Sequence, residues 1–111
     1  MSTRSNIGYK IKEGEKKGQY AFVYCHFDGY LEGVGKELKD NYNSYEEIVE
    51  LVQGGDMSFP GEPYTDRGED YNDLKPEIVE DIKDTFQQEY SYIWKDDKLI
   101  YSENGKTWRE L

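Results

Sequence analysis

Cys25, His26 and Asp28 come closest, by type and spacing, to the equipment of a catalytic site. They fall in Tyr24-Cys25-His26-Phe27-Asp28-Gly29-Tyr30-Leu31-Glu32-Gly33-Val34-Gly35, which holds the only cysteine and the only histidine of the 111 residues. A thiol beside an imidazole suggests a nucleophile and its base, which must lie within hydrogen-bond reach of each other. Neighbouring residues of a strand point to opposite faces, so Cys25 and His26 do not pair readily. Cys25 therefore reads as a buried small hydrophobe. His26 and Asp28 share a face, and a carboxylate can orient an imidazole for acid–base work. No nucleophile or metal partner joins them, so the pair reads as a structural hydrogen bond closing a strand end. No catalytic residue is assigned, and the chain reads as a non-enzyme.

Two further constellations lie on the stretch 56–75. Asp66, Glu69, Asp70 and Asp73 supply hard oxygen atoms of the kind that bind Ca²⁺ or Mg²⁺. Their spacing does not fit an EF-hand and Arg67 sits among them, so no metal is assigned; an acidic, protein-facing surface is the better reading. Arg67, flanked by Tyr64 and Tyr71 and joined by Lys36 after Gly33 and Gly35, suggests an anion or nucleotide pocket: guanidinium forks to phosphate and rings stack on a base. Gly29, Gly33 and Gly35 match neither the dinucleotide fingerprint nor the P-loop. No cofactor is expected.

The elements that must position these residues follow from periodicity. Residues 6–12 alternate, with Ile7, Tyr9 and Ile11 on one side, and predict a half-buried strand. Residues 19–27 are apolar on both faces and predict a central strand, hairpinned to the first. Leu31, Val34, Leu38 and Tyr42 then recur at helical spacing. Ser44 and Glu47 predict a capping box opening a second helix that ends at Gly54-Gly55. Residues 56–75 read as an irregular loop, long for a compact domain. Pro76 is expected to open a third helix with Ile78, Val79, Ile82 and Phe86 as its stripe. The C-terminal part predicts strands at 89–95, 98–102 and 106–110, with a two-residue turn at Asp96-Asp97 and a type I′ turn at Asn104-Gly105. Tyr90, Tyr92, Trp94 and Trp108 are the expected sheet-face core. The expected fold is one α+β domain over residues 1–111: an antiparallel sheet of about five strands with two to three helices on one face.

The net charge of −10 bounds the partners. Residues 28–89 carry 18 acids against five Lys/Arg, whereas residues 1–27 carry five Lys/Arg against two acids. So acidic a domain repels nucleic acid and complements a basic groove on another protein. A lone cysteine excludes an intramolecular disulfide and fits a reducing compartment. No apolar run reaches the ~18 residues of a membrane span, and residues 1–6 lack the apolar core of a signal peptide. A cytoplasmic protein is expected.

Ser2-Thr3-Arg4-Ser5-Asn6-Ile7 followed by Tyr24-Cys25-His26-Phe27-Asp28-Gly29-Tyr30 resembles a group of small phage and prophage proteins. Those open with a Thr-Arg-Ser-x-Ile run and carry a Tyr-Cys-His-Trp-Asp-Gly-Tyr motif before a helix; Phe27 replaces the Trp. Asp66-Arg67-Gly68-Glu69 and Glu89-Tyr90-Ser91-Tyr92-Ile93-Trp94 resemble further segments of that group, with Thr65 where the group has Arg. The resemblance makes Tyr24, Cys25, His26, Asp28 and Tyr30 the motif core. It implies a phage setting and an accessory role in the host cytoplasm, and places no catalytic residue. With the charge it leads to a binding protein, an acidic inhibitor of a host defence or nucleic-acid-handling protein that mimics nucleic acid. The alternative is a protein that sequesters a nucleotide signal through Lys36 and Arg67.

Overall fold

The computed structural model describes residues 3–63 and 76–111. The strands are β1 (Ser5–Lys10), β2 (Tyr20–Cys25), β3 (Met57–Phe59), β4 (Glu62–Pro63), β5 (Glu77–Val79), β6 (Tyr90–Lys95), β7 (Lys98–Ser102) and β8 (Arg109–Glu110). Two helices, α1 (Lys36–Asn41) and α2 (Tyr45–Gln53), lie between β2 and β3. The strands form one mixed sheet in the order β4-β3-β2-β1-β6-β7-β8, with β5 also pairing β2.

The fold is α+β, but the sheet is not purely antiparallel and exceeds five strands. β1 and β2 form the expected antiparallel hairpin, Ile7 opposite Val23. β6 then adds to the other side of β1 in parallel, Ile7 beside Tyr92. The Glu89 amide donates to the Arg4 carbonyl (3.1 Å), so both strands start at the same end. Period-two alternation is identical in parallel and antiparallel strands, which is why it carries no direction. With partners on both sides, β1 is buried from Ser5 to Tyr9 rather than half-buried.

Alternate strand residues make one core face: Ile7, Tyr9, Ala21, Val23, Cys25, Tyr92 and Trp94. Val34, Leu38, Ile48 and Val52 complete it from the helical side, each fully buried. The first helix begins as a π turn over Leu31–Gly35 before regular α1. The Ser44 hydroxyl accepts the Glu47 amide (3.2 Å) and donates to the Glu47 carboxylate (3.0 Å), so the carboxylate returns to the hydroxyl instead of the Ser44 amide. Gly55, at φ 88°, ends α2 in the left-handed conformation.

The third helix does not form. β5 and a 3₁₀ turn over Ile82–Thr85 stand in its place. Ile78, Val79, Ile82 and Thr85 are β-branched, which lowers helix propensity, and Ile78 and Val79 instead pair with Ala21 and Tyr20 of β2. The Asp81 carboxylate caps the 3₁₀ turn at the Lys83 amide (3.1 Å). Thr85 Oγ1 bonds Ser91 Oγ (3.0 Å), placing this turn on the sheet face opposite α1 and α2.

Part of the expected 56–75 loop is also ordered into strands. β3 and β4 turn through Pro60-Gly61, with Phe59 opposite Glu62. Gly61 at φ 90° matches the third position of a type II turn. The positive-φ pair of a type I′ turn occurs at Asp96 (54°) and Asp97 (63°), not at Asn104-Gly105. Asn104 instead accepts the Lys106 and Thr107 amides on its side-chain oxygen (2.8 and 2.9 Å), an Asx-type turn. No described helix is long and apolar enough to cross a membrane.

Candidate functional site

The stretch singled out by sequence is the corner where β2 leaves the sheet. Its side chains divide between the faces. Cys25 is fully buried on the helix side, its sulfur 3.7 Å from the Ser58 carbonyl. Burial pushes the thiol up to about 12, against the smaller opposing pull of the Ser5 hydroxyl. A thiol so protonated is no nucleophile at neutral pH. His26 lies on the other face, where Nδ1 is 2.5 Å from the Tyr24 hydroxyl and the ring meets Phe27 edge-on (centroids 4.5 Å). Asp28 accepts from the Tyr30 hydroxyl (3.4 Å), so His26 and Asp28 each bond a tyrosine rather than one another. Phe27 and Tyr30 are about two-fifths exposed (41% and 39%), leaving aromatic edges at this corner.

The glycines of the motif serve backbone packing. A Cβ on Gly33 would lie 2.2 Å from the Asp28 carbonyl oxygen, which accepts the Val34 amide (2.7 Å). Gly29 donates to the Thr3 carbonyl (2.8 Å), and its own carbonyl accepts the Tyr92 hydroxyl (2.7 Å). Gly35 rests against the Tyr92 ring, and a Cβ there would stand 3.4 Å from it. The motif thus ties the N-terminal segment, β2, the π turn and β6 into one joint.

Lys36 is exposed on α1 and donates to the Asp40 carboxylate (2.7 Å); that hydrogen bond, and then the carboxylate's charge, raise the lysine's pKa. Tyr64, Asp66, Arg67, Glu69, Asp70, Tyr71 and Asp73 lie outside the described residues. Among the described residues, no group of three or more His, Cys, Asp or Glu could hold a metal ion.

Two concave sites were not anticipated. The first is a groove of about 360 Å³ between the C-terminal end of α2 and the β3–β4 hairpin. Leu51 and Met57 line it, with Tyr42, Glu47, Glu50 and Glu62 around them, and no lysine or arginine among the described residues contributes. Burial, then Glu37, Glu47 and Glu50, raises the Tyr42 pKa, a sign of the local negative field. Glu47 and Glu50 sit one turn apart on the wet side of α2, the only signal the sequence offered. The second is a lysine-lined cleft of about 390 Å³ where β1 and β6 end. Comparisons with family models, curated proteins and solved structures give no significant match.

Proposed function

We propose that the chain is a phage-type accessory protein that acts by binding, presenting its acidic surface to a basic site on a host defence or nucleic-acid-handling protein. The acidic groove carries this reading. Glu47, Glu50 and Glu62 rim an apolar floor of Leu51 and Met57, with no basic side chain among the described lining residues. A lysine or arginine from a partner could lay its aliphatic stem on that floor and its charge among the carboxylates. Charge complementarity of this kind sets the encounter rate and rejects like-charged partners. The net charge of −10 extends the same field over the surface. Asp66, Glu69, Asp70 and Asp73 are the sequence's own candidates for continuing it, and the likeness to phage proteins supplies the setting.

The test is retention of host proteins on the immobilised chain, with and without duplex DNA as competitor. The native chain should retain a nucleic-acid-binding protein that DNA releases. Glu47→Lys with Glu50→Lys, and separately Asp66→Lys with Glu69→Lys and Asp70→Lys, should lose it while circular dichroism stays native. Retention unchanged by charge reversal and by DNA would refute the reading.

A further inference from the structure

We infer that the cleft at the far end of the sheet binds a small polyanion of the pyrophosphate class. The parallel pairing of β1 and β6 builds it. Tyr9 stands beside Trp94 in the ladder, so Lys10 and Lys95 follow at the same end. The β1–β2 connection brings Lys17 to the cleft, and the β6–β7 turn brings Asp97. The Lys12 ammonium is already occupied: it donates to Asp97 (3.2 Å) and lies 4.3 Å from the Tyr45 ring centroid.

Lys10, Lys17 and Lys95 have no carboxylate partner among the described residues, in a chain with 24 acids and 14 Lys/Arg. Asp96 also lines the cleft; with Lys12 paired to Asp97, three lysines stand against one carboxylate, and the concavity keeps a net positive potential within an acidic molecule. Trp94 lines it too, but its indole N–H is occluded from solvent on the core side, so the ring is a wall of the site and not a donor to the anion. Ammonium groups are point charges that suit phosphate, and a multiply charged anion can engage several together. The volume falls within the ~300–1,000 Å³ of small-molecule sites. Size selects against nucleic acid: a long polyanion would run over the acidic remainder, whereas a pyrophosphate group stays within the roughly 8 Å screening length of physiological salt. The cleft shares no residue with the acidic groove, so the two sites stand or fall separately.

Calorimetric titration of the full chain with inorganic pyrophosphate, with ATP, and with sodium chloride at matched ionic strength tests this. Pyrophosphate should bind saturably at one site and chloride should not. Lys10→Gln and Lys95→Gln should each weaken binding about tenfold, as loss of a charge-assisted contact does, with melting temperature unchanged. Trp108→Phe leaves Trp94 as the sole indole emitter, and its fluorescence should follow the same isotherm. Equal affinity for ATP and pyrophosphate places recognition on the phosphates; tighter ATP binding adds a contact to the nucleoside. No saturable heat with either ligand, or binding indifferent to both lysine substitutions, would overturn the proposal.

Discussion

At Gly33, helix propensity and local geometry give opposite predictions. Alanine is favoured over glycine in a helix by about 1 kcal/mol. Here the added methyl would lie 2.2 Å from a backbone oxygen that is already accepting a hydrogen bond. Backbone cannot yield as a flexible side chain does, so overpacking should win: Gly33→Ala is expected to destabilise by about 1–3 kcal/mol in urea unfolding. A gain in stability would mean that the π turn relaxes to an ordinary helix. Cys25 invites a second test at this scale. Its folded pKa is raised from 9.0 to about 12, so the native state holds its proton more tightly than the unfolded chain. The contribution is fully present below about pH 9 and lost as pH rises towards about 12. Unfolding free energy should therefore fall through that window, and less steeply in Cys25→Ala. Buried Tyr9 and Tyr92, also raised by burial, add to the decline in both proteins. Thiol labelling at about pH 8 should proceed only through unfolding; rapid labelling of the folded protein would contradict the burial.

At the scale of elements, Ser44 is a cap whose sequence signal and geometry agree. Ser44→Ala should cost about 1 kcal/mol of unfolding free energy, because the Glu47 amide loses its acceptor at the end of a short helix. A change indistinguishable from zero would mean water replaces the hydroxyl without loss. This cap, the β1–β2 hairpin and the alternation of β6 were legible because each signal is local. The third helix misled for a physical reason: four apolar residues at compatible spacing do not distinguish a helix from a strand plus a turn. The deciding partner, the free edge of β2 at Tyr20–Phe22, lies over fifty residues away in sequence. Asn104-Gly105 misled differently, since the asparagine side chain outcompetes a second positive φ by bonding two amides. The motif Tyr24–Gly35 was visible as a composition, but its role as a joint was not. That role depends on Thr3, Ser5 and Tyr92 arriving from elsewhere. The lysine cleft was hidden for a related reason: Lys10 and Lys95 meet only if β1 and β6 run in parallel.

Across the whole molecule, the balance between ten excess negative charges and few ion pairs has a measurable consequence. Two pairs form among the described residues, Lys12–Asp97 and Lys36–Asp40, and their side chains are substantially exposed. Exposed pairs contribute about 0–1 kcal/mol each, and salt weakens them. Opposing this is self-repulsion of the acidic surface, which salt also weakens. Length decides which dominates. The molecule measures 34 × 31 × 24 Å. Screening extends about 30 Å at 0.01 M salt and about 8 Å at 0.15 M. At low salt every carboxylate acts on nearly every other; at physiological salt only neighbours interact. Removing repulsion among many charges should outweigh the loss of two weak attractions. The melting temperature is therefore expected to rise as sodium chloride increases from about 0.01 to about 0.15 M. Adding Glu47→Lys and Glu50→Lys changes the net charge by four units towards neutrality and should flatten that rise. A melting temperature that falls with salt in the native chain would show that local attractions, the lysine cleft included, govern the electrostatics of this fold.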